Sequence, residues 1–202
     1  MTPEASEAVG AFDPDPIGQF AAWFEEARAC TAMPEAVALA TADGAGRPSV
    51  RMVLAKSWSE AGIVFFTNYE SRKGLDLAEN PYGALAFYWE PLGRQVRFEG
   101  PVTKIAPEDS DRYFATRPRG AQLSAAISEQ SRPVTDRAVL ERRIRDLIAA
   151  LGEEPVPRPA HWGGYVLEPE TAEFWQNQPD RLHDRFRYTR AVDSWRIERL
   201  QP

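Results

Sequence analysis

Cysteine is nearly absent from this chain: Cys30 stands alone among 202 residues. With no second thiol, an intrachain disulfide is excluded. Histidine is almost as scarce, present as His161 and His183. A His/Cys metal set cannot be assembled from these, so no metal is expected. No apolar run approaches the roughly 20 residues that a bilayer-spanning helix requires, so no membrane partner is expected. Lys and Arg are missing altogether before Arg28. A secretory leader opens on basic residues, so none is expected, and a cytoplasmic, reducing setting follows as the default. The formal net charge of −6 argues against generic nucleic-acid binding, which relies on a basic surface.

What remains is an ordinary globular composition, 43% hydrophobic and 27% charged, long enough to fill one domain with a substantial core. Residues 1–12 are small, polar and acidic, and are expected to be disordered. Asp13-Pro14-Asp15-Pro16 reads as a helix start, with Asp as cap and Pro in the first turn. Ile17, Phe20, Trp23 and Phe24 follow at helical spacing. Strands are expected over 36–41, 49–58, 62–68, 84–89 and 95–105, with Asp43-Gly44-Ala45-Gly46 as a hairpin turn. A helix is expected over 71–80, capped by Ser71 and stopped by Pro81. Helical stretches at 107–116, 121–128 and 136–151 interrupt the strands, the last with Leu140, Ile144, Leu147, Ile148 and Leu151 on one stripe. Strands near 164–168, 173–175 and 186–200 close the chain. Many strands with short turns and no βαβα alternation predict a mainly β fold, an antiparallel barrel carrying helical insertions.

Cationic residues gather in five places. Arg181, His183 and Arg185 are spaced by two near Trp175, so an extended segment would put all three on one face. Beside a large aromatic they suit a planar anion; a solvated strand edge is the plainer reading. Arg51 and Lys56 end the run Arg51-Met52-Val53-Leu54-Ala55-Lys56, and their opposite parity directs them to different faces. Arg72 and Lys73 occupy a first helical turn, where they oppose the helix dipole but assist an anion. Gln95, Arg97 and Glu99 share a strand face, either an outer polar face or one that pairs with a heterocycle edge. Tyr113 and Arg117 lie four apart on a helix, either a surface pair or a phosphate clamp, with Gln130 and Ser131 downstream. Together these offers describe two anion sites flanked by aromatic and amide surfaces.

The segments RMVLAK, FFTNYESRKG, LGRQVRFEG, YFATRPRGAQ, SEQS, HWGGYVLEP and EFWQNQPDRLHDRFRY, in this order, resemble the pyridoxine/pyridoxamine 5'-phosphate oxidase family from about Asp13 to the end. The resemblance implies a split β-barrel homodimer over 13–202, with helical insertions at about 107–151 and FMN at the subunit interface. It implies a cofactor set of Arg51, Met52, Val53, Leu54, Ala55, Lys56, Phe66, Thr67, Arg72, Lys73, Gln95, Gln130, Ser131, Trp175 and Arg185. Lys56, Tyr113, Arg117 and Ala121 match the clamp for the phosphate of a small pyridine substrate, and Arg181, Leu182 and His183 match its ring site. Arg181 and His183 are the implied catalytic pair. The implied reaction passes a hydride to FMN and reduces molecular oxygen to hydrogen peroxide. Three departures stand out: Ala121 where the family often has Ser, Asn177 where Gly is usual, and an N-terminal arm without the usual basic residue and Tyr. They keep two other readings open, a phenazine-biosynthesis type flavin oxidase and a non-catalytic FMN or pyridoxal-phosphate binding protein.

Overall fold

The structure is a computed structural model that describes residues 12–202. The tail expected to be disordered lies outside the described residues up to position 11. Phe12 packs its ring 4.4 Å from that of Phe186.

Helix α1 spans Pro16–Arg28, with Asp15 at its N-cap accepting from the amides of Ile17 and Gly18. Strands β1 (Ala36–Ala42), β2 (Pro48–Ser59) and β3 (Gly62–Asn68) form a meander, followed by α2 (Arg72–Glu79), β4 (Tyr82–Trp89) and β5 (Arg94–Lys104). Three helices intervene, α3 (Pro107–Thr116), α4 (Arg119–Ile127) and α5 (Arg137–Leu151), before β6 (Trp162–Leu167), β7 (Thr171–Gln176), β8 (Asp184–Arg190) and β9 (Trp195–Arg199). The strand order β4-β1-β2-β3-β6-β5, with β5 pairing back to β4, closes a six-stranded antiparallel barrel. Strands β7, β8 and β9 extend from β5 as a sheet outside the ring. The expected split barrel is therefore what the chain forms. Strand β5 makes the split: residues 94–101 pair with β4, 102–104 with β6, and 94–99 also with β7.

Alternation decides which side chains fill the barrel. Val37 and Leu39 on β1, Leu85 and Phe87 on β4, and Val96 and Phe98 on β5 are fully buried. Helix α1 covers them: the Phe20 ring lies 4.8 Å from Phe87 and 5.3 Å from Phe98. Each such ring contributes roughly 1.5–3 kcal/mol through burial. A second cluster, Phe114, Leu123, Val156 and Trp162, seats the helical insertion against β6. The stripe expected on α5 is only half used: Leu147 and Leu151 pack on this cluster, while Ile148 stays 44% exposed.

Candidate functional site

A cleft of about 1100 Å³ opens between the first half of β2, the end of β3, the start of α2 and the helices α3 and α4. Its basic end is built around Lys73, only 7% exposed. The Lys73 Nζ donates to Thr67 Oγ1 (3.0 Å), Ser71 Oγ (3.0 Å) and Gln130 Oε1 (2.8 Å). Burial, then the charge of Arg51, pushes this ammonium down to about 8. Arg51 is anchored from behind, its Nη1 donating to the Leu39 carbonyl and to Thr41 Oγ1, with Asp76 3.5 Å from Nη2. Arg72 completes the group, and its backbone N–H donates to Ser131 Oγ at 3.2 Å. Three cations thus converge on the N-terminal turn of α2, with Asp76 as the carboxylate nearest at hand. That surplus, together with a helix N-terminus, fits a phosphate.

Two local features position this end. Gly74 lies so close to the Tyr69 carbonyl that an added Cβ would collide with backbone; the absence of a side chain lets α2 start tightly against the turn. Ser71 occupies the N-cap position without capping: its Oγ donates to the Asn68 carbonyl (2.6 Å) and accepts from Lys73. The expectation of a Ser71 side-chain cap is thus corrected, because the hydroxyl is claimed by the lysine.

The other end is aromatic and basic. Phe66 stacks on Tyr113 at 3.9 Å and on Trp162 at 5.5 Å, and the Arg117 guanidinium sits over the Trp162 ring at 4.6 Å. Burial raises the Tyr113 phenol, with Arg117 opposing, and lowers the Arg117 guanidinium. Arg117 Nη1 is buried without a hydrogen-bond partner among the described residues. A donor left unsatisfied at the wall of a cleft is suited to an anionic acceptor. Lys56 borders the same cleft, 3.8 Å from Glu35.

Sequence parity had separated Arg51 from Lys56, yet both border the cleft. The cause is the open edge of β2, where side chains of both parities border the cleft. Ala55 pairs with Phe65 and Ser57 with Val64, leaving Lys56 as the extra residue. Residues 49–54 pair with β1 but not with β3, so that edge of β2 is open and Met52, Val53 and Leu54 reach the cleft as well. Ala55 turns into the core at 2% exposure. Phe66, Thr67, Gln130, Ser131 and Ala121 all border the cleft.

The remaining expected residues are not in this cleft. Gln95, Trp175 and Arg185 form a second row on the sheet outside the barrel, Gln95 opposite Trp175 and Trp175 opposite Arg185. Glu173, 5% exposed, organises this face: its two oxygens accept from Arg97 Nη2 (2.6 Å) and Arg185 Nε (2.8 Å). Arg181, Leu182 and His183 lie just before β8. The extended segment expected there is corrected: Pro179–Arg181 forms a short 3-10 turn, with Asp180 at φ 56° and Arg181 at φ 62°. The chain folds back on itself, so Arg181 and His183 do not share a strand face with Arg185. The His183 ring instead lies 4.6 Å from Trp175.

Sequence reasoning missed Trp162, Ser124 and Glu173. Trp162 precedes Gly163-Gly164, where close packing against Tyr69 and Ile105 leaves no room for side chains; an aromatic flanking such a pair was the available signal. Ser124 is three residues from Ala121 on the cleft face of α4. Glu173 shares parity with Trp175 on β7. Among the described residues no cluster of His, Cys, Asp and Glu could hold a metal ion, and no helix is long and apolar enough to cross a membrane.

Residues 24–149 match the family model described as pyridoxamine 5'-phosphate oxidase, and 162–202 match that of the pyridoxine 5'-phosphate oxidase C-terminal dimerisation region. That region, β6 to the end of the chain, supports a homodimer. Proteins named pyridoxine/pyridoxamine 5'-phosphate oxidase from Paraburkholderia phymatum and Burkholderia thailandensis are each 55% identical, covering 94% of this chain and 90% of theirs. The crystal structure of PhzG from Burkholderia lata, in complex with tetrahydrophenazine-1-carboxylic acid, superposes with a TM-score of 0.90. It is 32% identical, covering 100% of this chain and 98% of that one.

Proposed function

Because the chain belongs to the pyridoxamine 5'-phosphate oxidase family, whose proteins bind FMN, we propose that it oxidises pyridoxine 5'-phosphate or pyridoxamine 5'-phosphate to pyridoxal 5'-phosphate. The observation that carries this reading is one cleft holding two separate anion-binding groups, Arg51–Arg72–Lys73 and Lys56–Tyr113–Arg117. One phosphate belongs to the cofactor and the second to the substrate. The unpaired Arg117 Nη1 supports the second assignment.

The chemistry FMN supplies when bound is acceptance of a hydride from the carbon that becomes the aldehyde. The protein holds and orients. Lys73, Arg51 and Arg72 hold the cofactor phosphate, and Phe66, Thr67, Gln130 and Ser131 line its approach. Lys56, Tyr113 and Arg117 fix the substrate phosphate, and the indole of Trp162 excludes water behind it. Gln95, Trp175 and Arg185, with Arg181 and His183 beside them, are supplied by the partner subunit, which brings the second row to the first cleft. Arg181 and His183 orient the pyridine ring. Molecular oxygen takes the two electrons and leaves as hydrogen peroxide; with the amine substrate, the resulting imine is hydrolysed and ammonia departs.

A second reading, oxidation of a phenazine precursor, has one observation in its favour, the similarity to PhzG along the whole chain. Ala121 in place of a hydroxyl adds to it. An Arg–Lys–Tyr clamp also accepts a carboxylate, so what favours the first reading over this one is the 55% identity to proteins named pyridoxine/pyridoxamine 5'-phosphate oxidase against 32% to PhzG. A binding protein without turnover would retain the cleft but show no oxygen uptake.

The deciding assay supplies FMN-loaded protein with either B6 phosphate in air and follows aldehyde and peroxide, with Arg181→Ala as control. Turnover that collapses in the control is expected. A flavin-loaded protein inert toward both phosphates, yet active on a reduced phenazine carboxylic acid, would reverse the order of the two readings.

A further inference from the structure

His183 has a defined hydrogen-bond partner on one side of its ring. The turn at Pro179–Arg181 brings the backbone N–H of Gln178 within 3.2 Å of His183 Nδ1. A backbone amide can only donate, so Nδ1 is the acceptor and carries no proton. In the neutral ring the proton then resides on Nε2. The same residue fastens the loop through its side chain: Gln178 Nε2 donates to Asp184 Oδ2 at 2.7 Å. Asp184 is held in turn from β9, where Arg199 Nη1 meets Oδ1 at 2.5 Å. The indole of Trp175, 4.6 Å away, limits rotation of the imidazole.

We infer that Gln178 is the positioning residue for His183, and that it holds the imidazole as the Nε2–H tautomer, so that His183 offers the substrate a hydrogen-bond donor and not a base. Gln178 acts through two bonds at once, one of them a main-chain bond that substitution leaves in place. Its side chain ties the loop carrying Arg181 and His183 to strand β8, and so sets the angle at which Nε2–H leaves the ring. The assignment of the partner atom, an acceptor on the pyridine, rests on the function proposed above; the tautomer does not.

The test is nitrogen-15 NMR of the FMN-loaded dimer labelled at histidine, read above neutral pH. His161→Gln supplies the assignment, since the chain has two histidines. An acceptor-type Nδ1 and a protonated Nε2 at His183 are expected. A protonated Nδ1 in the wild-type protein would overturn the inference whether or not the protein turns over B6 phosphates. Gln178→Ala keeps the main-chain bond and with it the tautomer, but loses the tie to Asp184, and should lower kcat on the order of tenfold with KM, flavin content and far-UV spectrum unchanged. If the variant keeps the wild-type kcat, the side chain of Gln178 positions nothing. If Gln178→Ala does not fold, the wild-type signals alone decide the tautomer. Failure of the oxidase reading leaves the nitrogen spectra unaffected, so the two failures are distinguishable.

Discussion

Lys73 donates to three neutral oxygens, and the charge of Arg51 beside it outweighs that of Asp76, so its ammonium is under-compensated until an anion arrives. In the flavin-free protein it titrates at about 8 against an ordinary 10.5. Between those values the unfolded chain binds more protons than the folded one, so the lysine's contribution to stability rises with pH. The penalty is whole below about 8 and is relieved toward 10.5, on the order of 3 kcal/mol in all. Urea unfolding of flavin-free protein at pH values from about 7.5 to 9.5 should show this rise, and Lys73→Met should lack it. The affinity for FMN should move the opposite way, weakening by up to roughly tenfold per pH unit above about 8. Lys73→Met should weaken it by roughly 10–100-fold at neutral pH, the worth of a charge-assisted bond, read by fluorescence titration of FMN. Ala121→Ser restores a hydroxyl to the cleft, and one neutral hydrogen bond of about 1 kcal/mol should lower KM for the phosphorylated substrate several-fold with kcat unchanged. Residue types and spacing made Lys73, Arg51, Tyr113 and Arg117 legible in the sequence. Glu173 was not, because a buried carboxylate's partners, Arg97 and Arg185, come from strands 76 and 12 residues away.

At the scale of elements, alternation and turn residues placed eight strand ranges within a few residues of the observed strands, the last of them, 186–200, holding both β8 and β9. What alternation cannot register is where a strand's pairing stops. Residues 49–54 of β2 have no partner on β3, so side chains of both parities border the cleft and parity does not sort Arg51 from Lys56. The turn at Asp180 and Arg181 was equally hidden, because neither residue is a glycine and positive φ is costly for both. Helix α2 depends on the bare Cα of Gly74. Gly74→Ala should push the first turn away from the Tyr69 carbonyl, lower stability by about 2 kcal/mol, and weaken FMN binding in the same variant. Thermal unfolding and flavin titration check both; an unchanged affinity in a destabilised protein would separate the helix start from the anion site.

In the whole molecule the two rows of candidate side chains stand apart within one chain, Lys73 in the cleft and Arg181 with His183 in the segment leading into β8. The proposed dimer unites them across the interface, which a stripe of sequence cannot reveal because the rows share no periodicity. At a flavin concentration that fills the wild-type cleft but not the weakened one, Lys73→Met and Arg181→Ala should each show little activity alone. Mixed, unfolded and refolded together with FMN, they should recover roughly a quarter of wild-type activity, because random pairing makes half the dimers mixed and each carries one intact site. No recovery would place both residues in the same half of each site.

Strand β5 bears on how the protein is made. It closes the barrel toward β4, its neighbour in sequence, but also toward β6, whose residues Tyr165 to Leu167 are synthesised some 60 positions later. Strand β3 waits still longer for the same partner, with Phe66 facing Gly164. Every side chain of the basic cleft up to Ser131 therefore leaves the ribosome before the ring that frames it can shut. The nascent chain carries unpaired β3 and β5 edges during that interval. Flavin offered to ribosome-bound chains truncated before residue 162 should not be retained, and chains extended beyond β6 should be the first in which the barrel resists proteolysis.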